Sequence, residues 1–298
     1  MVEKKFTIYK LISYVFLFIM FFLIVTPFIL LFMSSIASES ALLTEGFSFW
    51  PSEFSLESYR FILMSGDRIT RAYAVSIFVT VIGTLLHVAI CALLAYPLSL
   101  KKMPGRKIIL FLVFFTMLFN GGLVPSFFLW NSMIGVTDSI WALILPNLLL
   151  SPMSVLLVRT YMANNIPDAL LEAAQIDGAG QVTIFRTIVL PLSKPILITI
   201  GTFAGLGYWN DWLNGLYFIQ QRTDLYNIQN ILNRMVSDIQ FLSTNTDMSF
   251  VAADLLANIP TTGIQMAIAF AAILPLLIVF PFLSKFYSKG IALGSVKE

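Results

Sequence analysis

One polar stretch stands out in an otherwise apolar sequence: Glu172-Ala173-Ala174-Gln175-Ile176-Asp177-Gly178, with Leu190-Pro191 following further along the chain. The Glu172 carboxylate could bind a basic or N–H-rich partner. The small side chains of Ala173 and Ala174 would let a helix approach another surface closely. This combination of residues suits docking onto a second surface.

The residues around this stretch predict a helix, a turn and a second short helix. Pro167 fits the first turn of a helix, because the N–H that it lacks has no partner there. Asp168 in the same turn complements the helix dipole. Gly178 and Gly180 supply a permissive backbone that ends the first helix and reverses the chain. The second helix is expected from about Gln181.

A second polar cluster lies further along the chain, within Tyr208-Trp209-Asn210-Asp211-Trp212-Leu213-Asn214. Flat rings can pack against the C–H faces of a sugar, while an amide and a carboxylate bind its hydroxyl groups. The same residues also suit an interfacial aspartate between two aromatic anchors, because Trp is enriched at membrane–water interfaces. The sequence leaves both interpretations of Trp209, Asn210, Asp211 and Trp212 open.

The residue sets of common catalytic sites are missing from the sequence. The chain has one histidine, His87, so it cannot build a two-histidine metal site, and a packing role for this residue is favoured. No Gly-x-x-x-x-Gly-Lys-Ser/Thr, His-Glu-x-x-His or Gly-x-Ser-x-Gly motif occurs. We therefore expect no catalytic residues, no metal and no cofactor bound by this chain. A membrane-embedded enzyme is disfavoured, and any energy used must come from another subunit.

The composition indicates a membrane protein. Hydrophobic residues make up 58% of the chain and charged residues 11%, and the mean hydropathy is +0.87. A span needs about 20 apolar residues, and runs of that length predict an all-α membrane protein with six transmembrane helices. They lie at about 11–36, 72–100, 107–130, 138–163, 191–218 and 263–285. Asn120-Gly121-Gly122 and Pro125 predict a bent or broken third helix.

The basic residues predict the orientation of the spans. Thirteen lysines and arginines fall on one side and five on the other, so both termini and the Glu172 loop are expected in the cytoplasm. The two longest outer segments are about 37–70 and 219–262. The second is expected to form an amphipathic helix, because it contains apolar residues at helical spacing. These residues are Ile228, Ile231, Leu232, Met235 and Ile239.

The spacing around Glu172 resembles the EAA signature of the permease subunits of ABC importers. The signature is Glu-Ala-Ala, three residues, Gly, nine residues, then Ile-x-Leu-Pro. The matching positions are Glu172, Ala173, Ala174, Gly178, Ile188, Leu190 and Pro191. Seven matches at the correct spacing favour this interpretation over a hairpin that merely lies on the membrane. The resemblance implies the type I importer permease fold, with a cytoplasmic coupling helix that docks into a cleft of the ATPase.

Further stretches resemble the carbohydrate-uptake branch of this family, and the shorter of its two permease partners, the position that MalG takes in maltose import. The Gly-Gly stretch and the C-terminal tail are most similar to the subgroup serving complex oligosaccharides, including acidic ones. The stretches that carry this resemblance are Ala95–Ser99, Pro104–Arg106, Asn120–Pro125, Ile166–Ala179, Trp209–Trp212 and Lys289–Lys297. One departure is Ala72-Tyr73-Ala74-Val75-Ser76, where many relatives carry Asn before the Ser.

The resemblance implies a set of partners and site residues. The partners are a second homologous permease, an ATPase dimer that uses ATP and Mg, and an extracellular sugar-binding protein. The chain itself is expected in the cell membrane. The ATPase-coupling residues would be Glu172, Ala173, Ala174, Asp177, Gly178 and Ala179. The candidates for the substrate path are Trp209, Asn210, Asp211, Trp212, Asn120 and Asn147. The domains expected are 1–70 (first helix and outer loop), 71–285 (permease core) and 286–298 (cytoplasmic tail).

Two other functions remain open from the sequence. An ATP-independent carrier or channel would work without the ATPase, so its uptake would survive Glu172→Lys. A peptide or amino-acid permease would share the EAA signature, and a neighbouring gene for a sugar-binding protein or glycosidase would argue against it. The scarcity of charged residues inside the spans disfavours an ion-coupled carrier.

Overall fold

The computed structural model describes residues 8–64, 66–119, 121–244 and 261–294. Regular structure in these ranges is helical, and one isolated β-bridge joins Ala37 to Phe54. The first α-helices are α1 (Ile8–Ser35), α2 (Glu39–Glu45), α3 (Glu57–Met64), α4 (Gly66–Ser99), α5 (Arg106–Leu118), α6 (Leu123–Phe128) and α7 (Pro152–Asn165). The remaining ones are α8 (Asp168–Ile176), α9 (Gln181–Ile184), α10 (Leu190–Leu192), α11 (Lys194–Asn210), α12 (Leu213–Phe218), α13 (Ile228–Thr244) and α14 (Thr261–Gly294).

Four shorter segments complete the helical structure. Two are π-helical, Leu129–Ile134 after α6 and Phe185–Val189 between α9 and α10. Two are 3₁₀-helical, Ile140–Leu143 and Thr223–Leu225. The amphipathic helix expected in the second outer segment is present as α13.

Among the described residues, three helices are long and apolar enough to cross a membrane, and up to five spans result if each of two bent pairs counts as one. The single helices are Tyr9–Ser35, Asp67–Ser99 and Thr262–Val279. One bent pair joins Gln181–Leu192 to Lys194–Asn210 at 77°. The other joins the helices on either side of the Gly-Gly stretch, where α5 ends at Leu118 and α6 begins at Leu123, so the expected break in the third span is present.

The apolar run at 138–163 differs from the continuous span expected from the sequence. It holds the 3₁₀ turn Ile140–Leu143 and then α7, which has 14 residues and begins only at Pro152. Pro146 lacks an N–H, and Asn147 has a φ of +62°, a conformation that ends regular helix. The described helices, judged by their length and composition, therefore do not reproduce the six spans expected from the sequence.

Side chains of α4, α11 and α12 form hydrogen bonds with the irregular part of this run. The Tyr208 hydroxyl donates to the carbonyl oxygen of Ile144 (2.9 Å), and Asn214 Nδ2 donates to that of Pro146 (2.9 Å). His87 Nδ1 lies 2.8 Å from the carbonyl oxygen of Leu148, and its side chain is buried. These bonds satisfy backbone that is not helical, as a low-dielectric environment requires. They also give His87 the packing role expected from the sequence.

The chain divides into two compact units. The first comprises the described parts of Met1–Ile69 and Leu232–Leu276, and the second those of Thr70–Ile231 and Leu277–Glu298. In the first unit, the Glu39 carboxylate accepts the backbone N–H groups of Thr262 and Gly263 (3.0 and 2.8 Å), which lie in the first turn of α14. The boundaries at residues 70 and 285 stay a prediction.

The second unit has a buried apolar cluster that joins α4, α7 and the segment from α8 to α11. Its buried members are Cys91, Ala95, Tyr96, Leu98, Val155, Val158, Met162, Ile166, Leu171, Ile184, Val189 and Ile200. Ala174 and Ala179, from the Glu172 stretch, are partly buried and pack against this cluster. The cluster therefore anchors the segment that the sequence analysis selected.

Candidate functional site

The helix that carries the Glu172 stretch is α8, and most of its surface is exposed. It begins at Asp168, directly after Pro167, and ends at Ile176. Leu171 is the buried member of this fully described helix. Ile176 is 86% exposed, although it is a large apolar residue. The helix thus packs through one side and leaves Glu172 and Ile176 accessible.

The turn after α8 is closed by backbone hydrogen bonds and by one glycine. Gly178 donates to the carbonyl oxygen of Gln175 (3.0 Å), and Ala179 donates to that of Ala174 (2.9 Å). Gly178 has a φ of +83°, the left-handed conformation in which helices commonly end. We call Asp168–Gln181, which contains α8 and this turn, the hairpin. With α9, which begins at Gln181, the hairpin has the helix–turn–helix form that the sequence predicts.

Two lysines from the loop after α4 bind carboxylates of the hairpin. Lys101 Nζ lies 2.7 Å from Asp168 Oδ2, and Lys102 Nζ lies 3.4 Å from Glu172 Oε1. All four side chains are more than half exposed. The hydrogen bond and the positive charge of Lys101 hold the pKa of Asp168 below its ordinary value. Because solvent screens such pairs, they orient the hairpin but stabilise it little.

A buried tyrosine joins the end of α4 to the other side of the hairpin. The Tyr96 hydroxyl donates to Gln181 Oε1 at 2.7 Å. The Tyr96 ring also packs on Phe185, with 5.2 Å between the ring centroids. The carbonyl oxygen of Leu98 accepts from Arg106 Nε (2.9 Å) and Arg159 Nε (3.2 Å). Through Tyr96, α4 therefore contacts both the hairpin and the π-helical segment after α9.

The second polar cluster lies at the end of α11. Asp211 Oδ1 accepts the backbone N–H groups of Leu213 (3.1 Å) and Asn214 (3.3 Å), so this carboxylate caps the start of α12. Its Oδ2 is buried and has no hydrogen-bond partner among the described residues. The structure thus gives Asp211 a role in the local fold, and its role in a substrate path stays a prediction.

The other candidates for the substrate path differ in accessibility. Trp209 is buried, whereas Trp212 is 37% exposed. Asn210 is exposed, and its Nδ2 donates to the carbonyl oxygen of Leu206 (2.9 Å). Asn147 is exposed in the irregular segment before α7, and Asn120 lies outside the described residues. The structure brings Trp209–Trp212 together at one helix end but does not test their contact with a sugar.

Two buried asparagines near the start of α13 complete this region. Asn227 Nδ2 donates to the carbonyl oxygen of Asp211 (2.7 Å), and its Oδ1 accepts the N–H of Asn230 (2.8 Å). Asn230 Nδ2 donates to the carbonyl oxygen of Trp212 (2.5 Å). A Cβ at Gly215 would collide with the Asn230 amide, so the glycine leaves room for this side chain. We call Asp211, Asn214, Asn227 and Asn230 the asparagine cluster.

The comparison with known proteins decides the family. Residues 89–292 match the family described as "Binding-protein-dependent transport system inner membrane component". This chain belongs to that family. The match includes the whole hairpin and the asparagine cluster, so both are parts of an ABC importer permease.

Curated relatives cover almost the whole permease. The polygalacturonan/rhamnogalacturonan transport system permease protein YtcP of Bacillus subtilis (strain 168) is 37% identical over 97% of this chain and 98% of its own length. Protein LplC of the same organism is 35% identical over 92% of this chain and 89% of its own.

A solved structure confirms the fold class. In the crystal structure of a bacterial ABC transporter involved in the import of the acidic polysaccharide alginate, one chain is 28% identical to this permease. The TM-score is 0.80, and the alignment covers 94% of this chain and 96% of that chain. The all-α importer permease fold inferred from the sequence is therefore confirmed, and the protein is a multi-pass membrane protein of a transport family, not an enzyme.

Sequence reasoning missed the contacts that hold the permease's two polar regions. It used Lys101 and Lys102 only as indicators of orientation, although both bind the hairpin. It used the surroundings of Asn227 only as part of a long outer segment. Asp138 was also missed, although its Oδ1 accepts three consecutive backbone N–H groups, those of Gln220, Gln221 and Arg222. These contacts join residues far apart in sequence, so no local pattern signals them.

Proposed function

We propose that this permease carries an oligosaccharide across the cell membrane in an ATP-driven importer, and that its hairpin couples transport to an ATPase. The observation that carries the proposal is the hairpin itself. One side of α8 packs through Leu171 and Ala174, while Glu172 and the strongly exposed Ile176 remain available. An exposed apolar side chain beside a carboxylate is suited to a protein cleft.

The proposed partners follow from the family. The described structure contains up to five spans, and the chain carries no phosphate-binding loop in its sequence. ATP and Mg would therefore be used by an ATPase dimer bound to the hairpin, and this chain would bind no cofactor. A second, homologous permease would complete the translocation path, and an extracellular binding protein would deliver the substrate. The proposed orientation places the hairpin and both termini in the cytoplasm.

The proposed substrate class is a complex oligosaccharide, with acidic ones as the first to test. One relative is named for polygalacturonan and rhamnogalacturonan, and the solved neighbour for the acidic polysaccharide alginate. Within this chain, Trp212 and Asn210 are the accessible members of the polar cluster. We infer that they contact sugar along the path, and that Asp211 holds the backbone that presents them.

The experiment that tests the proposal is uptake together with co-purification of the ATPase. Glu172→Lys should abolish both ATPase association and oligosaccharide uptake, because it reverses the charge on the exposed side of α8, while the second permease stays bound. Gly178→Pro should do the same through the turn. The matched control is Glu57→Lys, which reverses an exposed carboxylate outside the hairpin.

The possible results separate the alternatives. Unchanged ATPase association in Glu172→Lys would mean that the hairpin is not the docking site. Full uptake without any ATPase would show an ATP-independent carrier. Uptake of peptides but not of oligosaccharides by the native complex would overturn the substrate class alone.

A further inference from the structure

A groove lies between the hairpin and the end of α4, and the proposed coupling role assigns no function to its interior. Its volume is about 860 Å³, within the range of small-molecule sites. The α4 residues that line it recur at helical spacing, so they form one face of that helix. They are Ala89, Ala92, Leu93, Tyr96 and Pro97, and Leu100 follows at the same spacing just after α4 ends. The opposite wall carries Val182 of α9, Phe185 of the π-helical segment and Leu190 at the start of α10.

The apolar lining of this groove is partly exposed. Leu93 is 59% exposed and Val182 is 65% exposed, although both lie in the groove. Leu93 belongs to a helix that is long and apolar enough to cross a membrane, and an apolar neighbour suits such a side chain at that depth. An acyl chain in the groove would supply that neighbour.

The mouth of the groove carries an excess of positive charge. Lys101, Lys102 and Arg186 line it together with the carboxylates of Asp168 and Glu172. The two lysines bind these two carboxylates. Arg186 is exposed and makes no ion pair within the part of the chain that the structure describes. One cation is therefore left for an anionic group at the mouth.

The length of the groove matches one layer of a bilayer. From Ala89 to Ser99, α4 rises roughly 15 Å at about 1.5 Å per residue. Half of a hydrocarbon core of about 30 Å is also roughly 15 Å. The apolar end of the groove is thus lined by a membrane-spanning helix, and the basic end is lined by the loop that follows this helix and by Arg186.

We propose that this groove binds an anionic phospholipid, with an acyl chain between α4 and the side chains of Phe185 and Leu190 and the phosphate at Arg186. Basic pockets beside transmembrane helices are a known way to hold anionic head groups. The head group would then lie beside Glu172 and Lys102, at the base of the surface that docks the ATPase. The lipid would help to hold the hairpin at a fixed distance from α4.

The test is photolabelling of the full chain in bilayers of phosphatidylcholine, alone and assembled with its permease and ATPase partners. The probes are phosphatidylglycerol and phosphatidylcholine that carry the same photoreactive acyl chain, and labelled peptides are identified by mass spectrometry. We expect phosphatidylglycerol to label peptides from both walls of the groove. Labelling by phosphatidylcholine should be weaker by about fivefold, the effect of one basic contact at a membrane surface.

Matched variants locate the site. Arg186→Gln should lower phosphatidylglycerol labelling by about fivefold, whereas Arg68→Gln, an exposed arginine outside the groove, should leave it unchanged. Leu93→Trp should block the acyl chain, whereas Leu94→Trp, at the adjacent position outside the groove, should not. Should Leu93→Trp fail to fold, Arg186→Gln carries the test on its own.

Four results would overturn the proposal. They are equal labelling by the two lipids, unchanged labelling in Arg186→Gln, displacement of the probe by inorganic phosphate, and loss of labelling once the partners assemble. Displacement by phosphate would identify a site for a soluble anion. Loss on assembly would show that a protein segment fills the groove. None of these readouts depends on transport, so the lipid site and the proposed function can fail separately.

Discussion

The hairpin and the asparagine cluster both contain an aspartate beside the start of a short helix, but the two residues serve different ends. Asp168 is exposed and binds a lysine side chain from another loop. Asp211 accepts backbone N–H groups at the start of α12, and its second oxygen is buried. A solvated ion pair is readily exchanged for a contact with another protein, whereas a buried backbone cap is not. The hairpin is therefore the adaptable region and the cluster the fixed one.

This comparison is tested most strongly at Asn227, where we expect the largest effect. Asn227→Ala would remove the cap of α13 and leave the carbonyl oxygen of Asp211 unpaired. Losing both should destabilise the permease by about 2–3 kcal/mol. Thermal unfolding of the assembled, detergent-solubilised complex measures this. Asn164→Ala, at an exposed position of α7, is the control, and equal losses in the two variants would show that the cluster is not a fixed region.

An intermediate effect is expected at Gly178. Gly178→Ala would place a Cβ at a φ of +83°, which costs about 1–2 kcal/mol for residues other than glycine. Since no atom lies within 4 Å of that Cβ, strain and not a clash should change the turn. We expect ATPase affinity to fall by about tenfold, together with a loss of stability no larger than this strain. Binding of the purified ATPase to the reconstituted permease measures this.

The matched control for that variant is Gly180→Ala. Gly180 has a φ of −70° and open space around its Cβ position, so alanine fits there. Similar ATPase affinity in the two alanine variants would mean that the turn geometry does not matter for docking.

The smallest effect concerns pH and the pair between Lys101 and Asp168. Lys101 lowers the pKa of Asp168 in the folded chain, so the stabilisation from this pair is present above the ordinary carboxyl value of 3.8 and is lost as the pH falls through the lowered pKa. Amide-exchange protection of α8, relative to that of α7, should therefore be constant between about pH 5 and pH 8.

The variant Asp168→Asn separates this pair from other effects of pH. It should show slightly lower protection of α8 at every pH, and the native chain should approach it only below about pH 4. A change in the native chain between pH 6 and pH 7 would show that another group controls the hairpin.

The sequence predicted the hairpin well because its signals are local. Pro167, Asp168 and Gly178 specify a helix start and a helix end by their own backbone chemistry, and the structure has both at these positions. It predicted less of the surroundings. The run at 138–163 has the composition of a span, but Pro146 and the left-handed Asn147 interrupt it. Bonds from Tyr208 and Asn214 make that interruption tolerable, and they join residues more than sixty positions apart.

The carbonyl oxygen of Leu98 accepts two hydrogen bonds that restrain the end of α4. Two guanidinium groups, from Arg106 and Arg159, brace it from different helices at the point where α4 ends. Tyr96 lies two residues earlier and contacts Gln181 of the hairpin and Phe185 of the π-helical segment. These bonds restrain the last turn of α4, where Pro97 lacks the N–H that a helical hydrogen bond needs. Two side chains from other helices thus support the turn of α4 that the proline weakens, and this is the turn that contacts the hairpin.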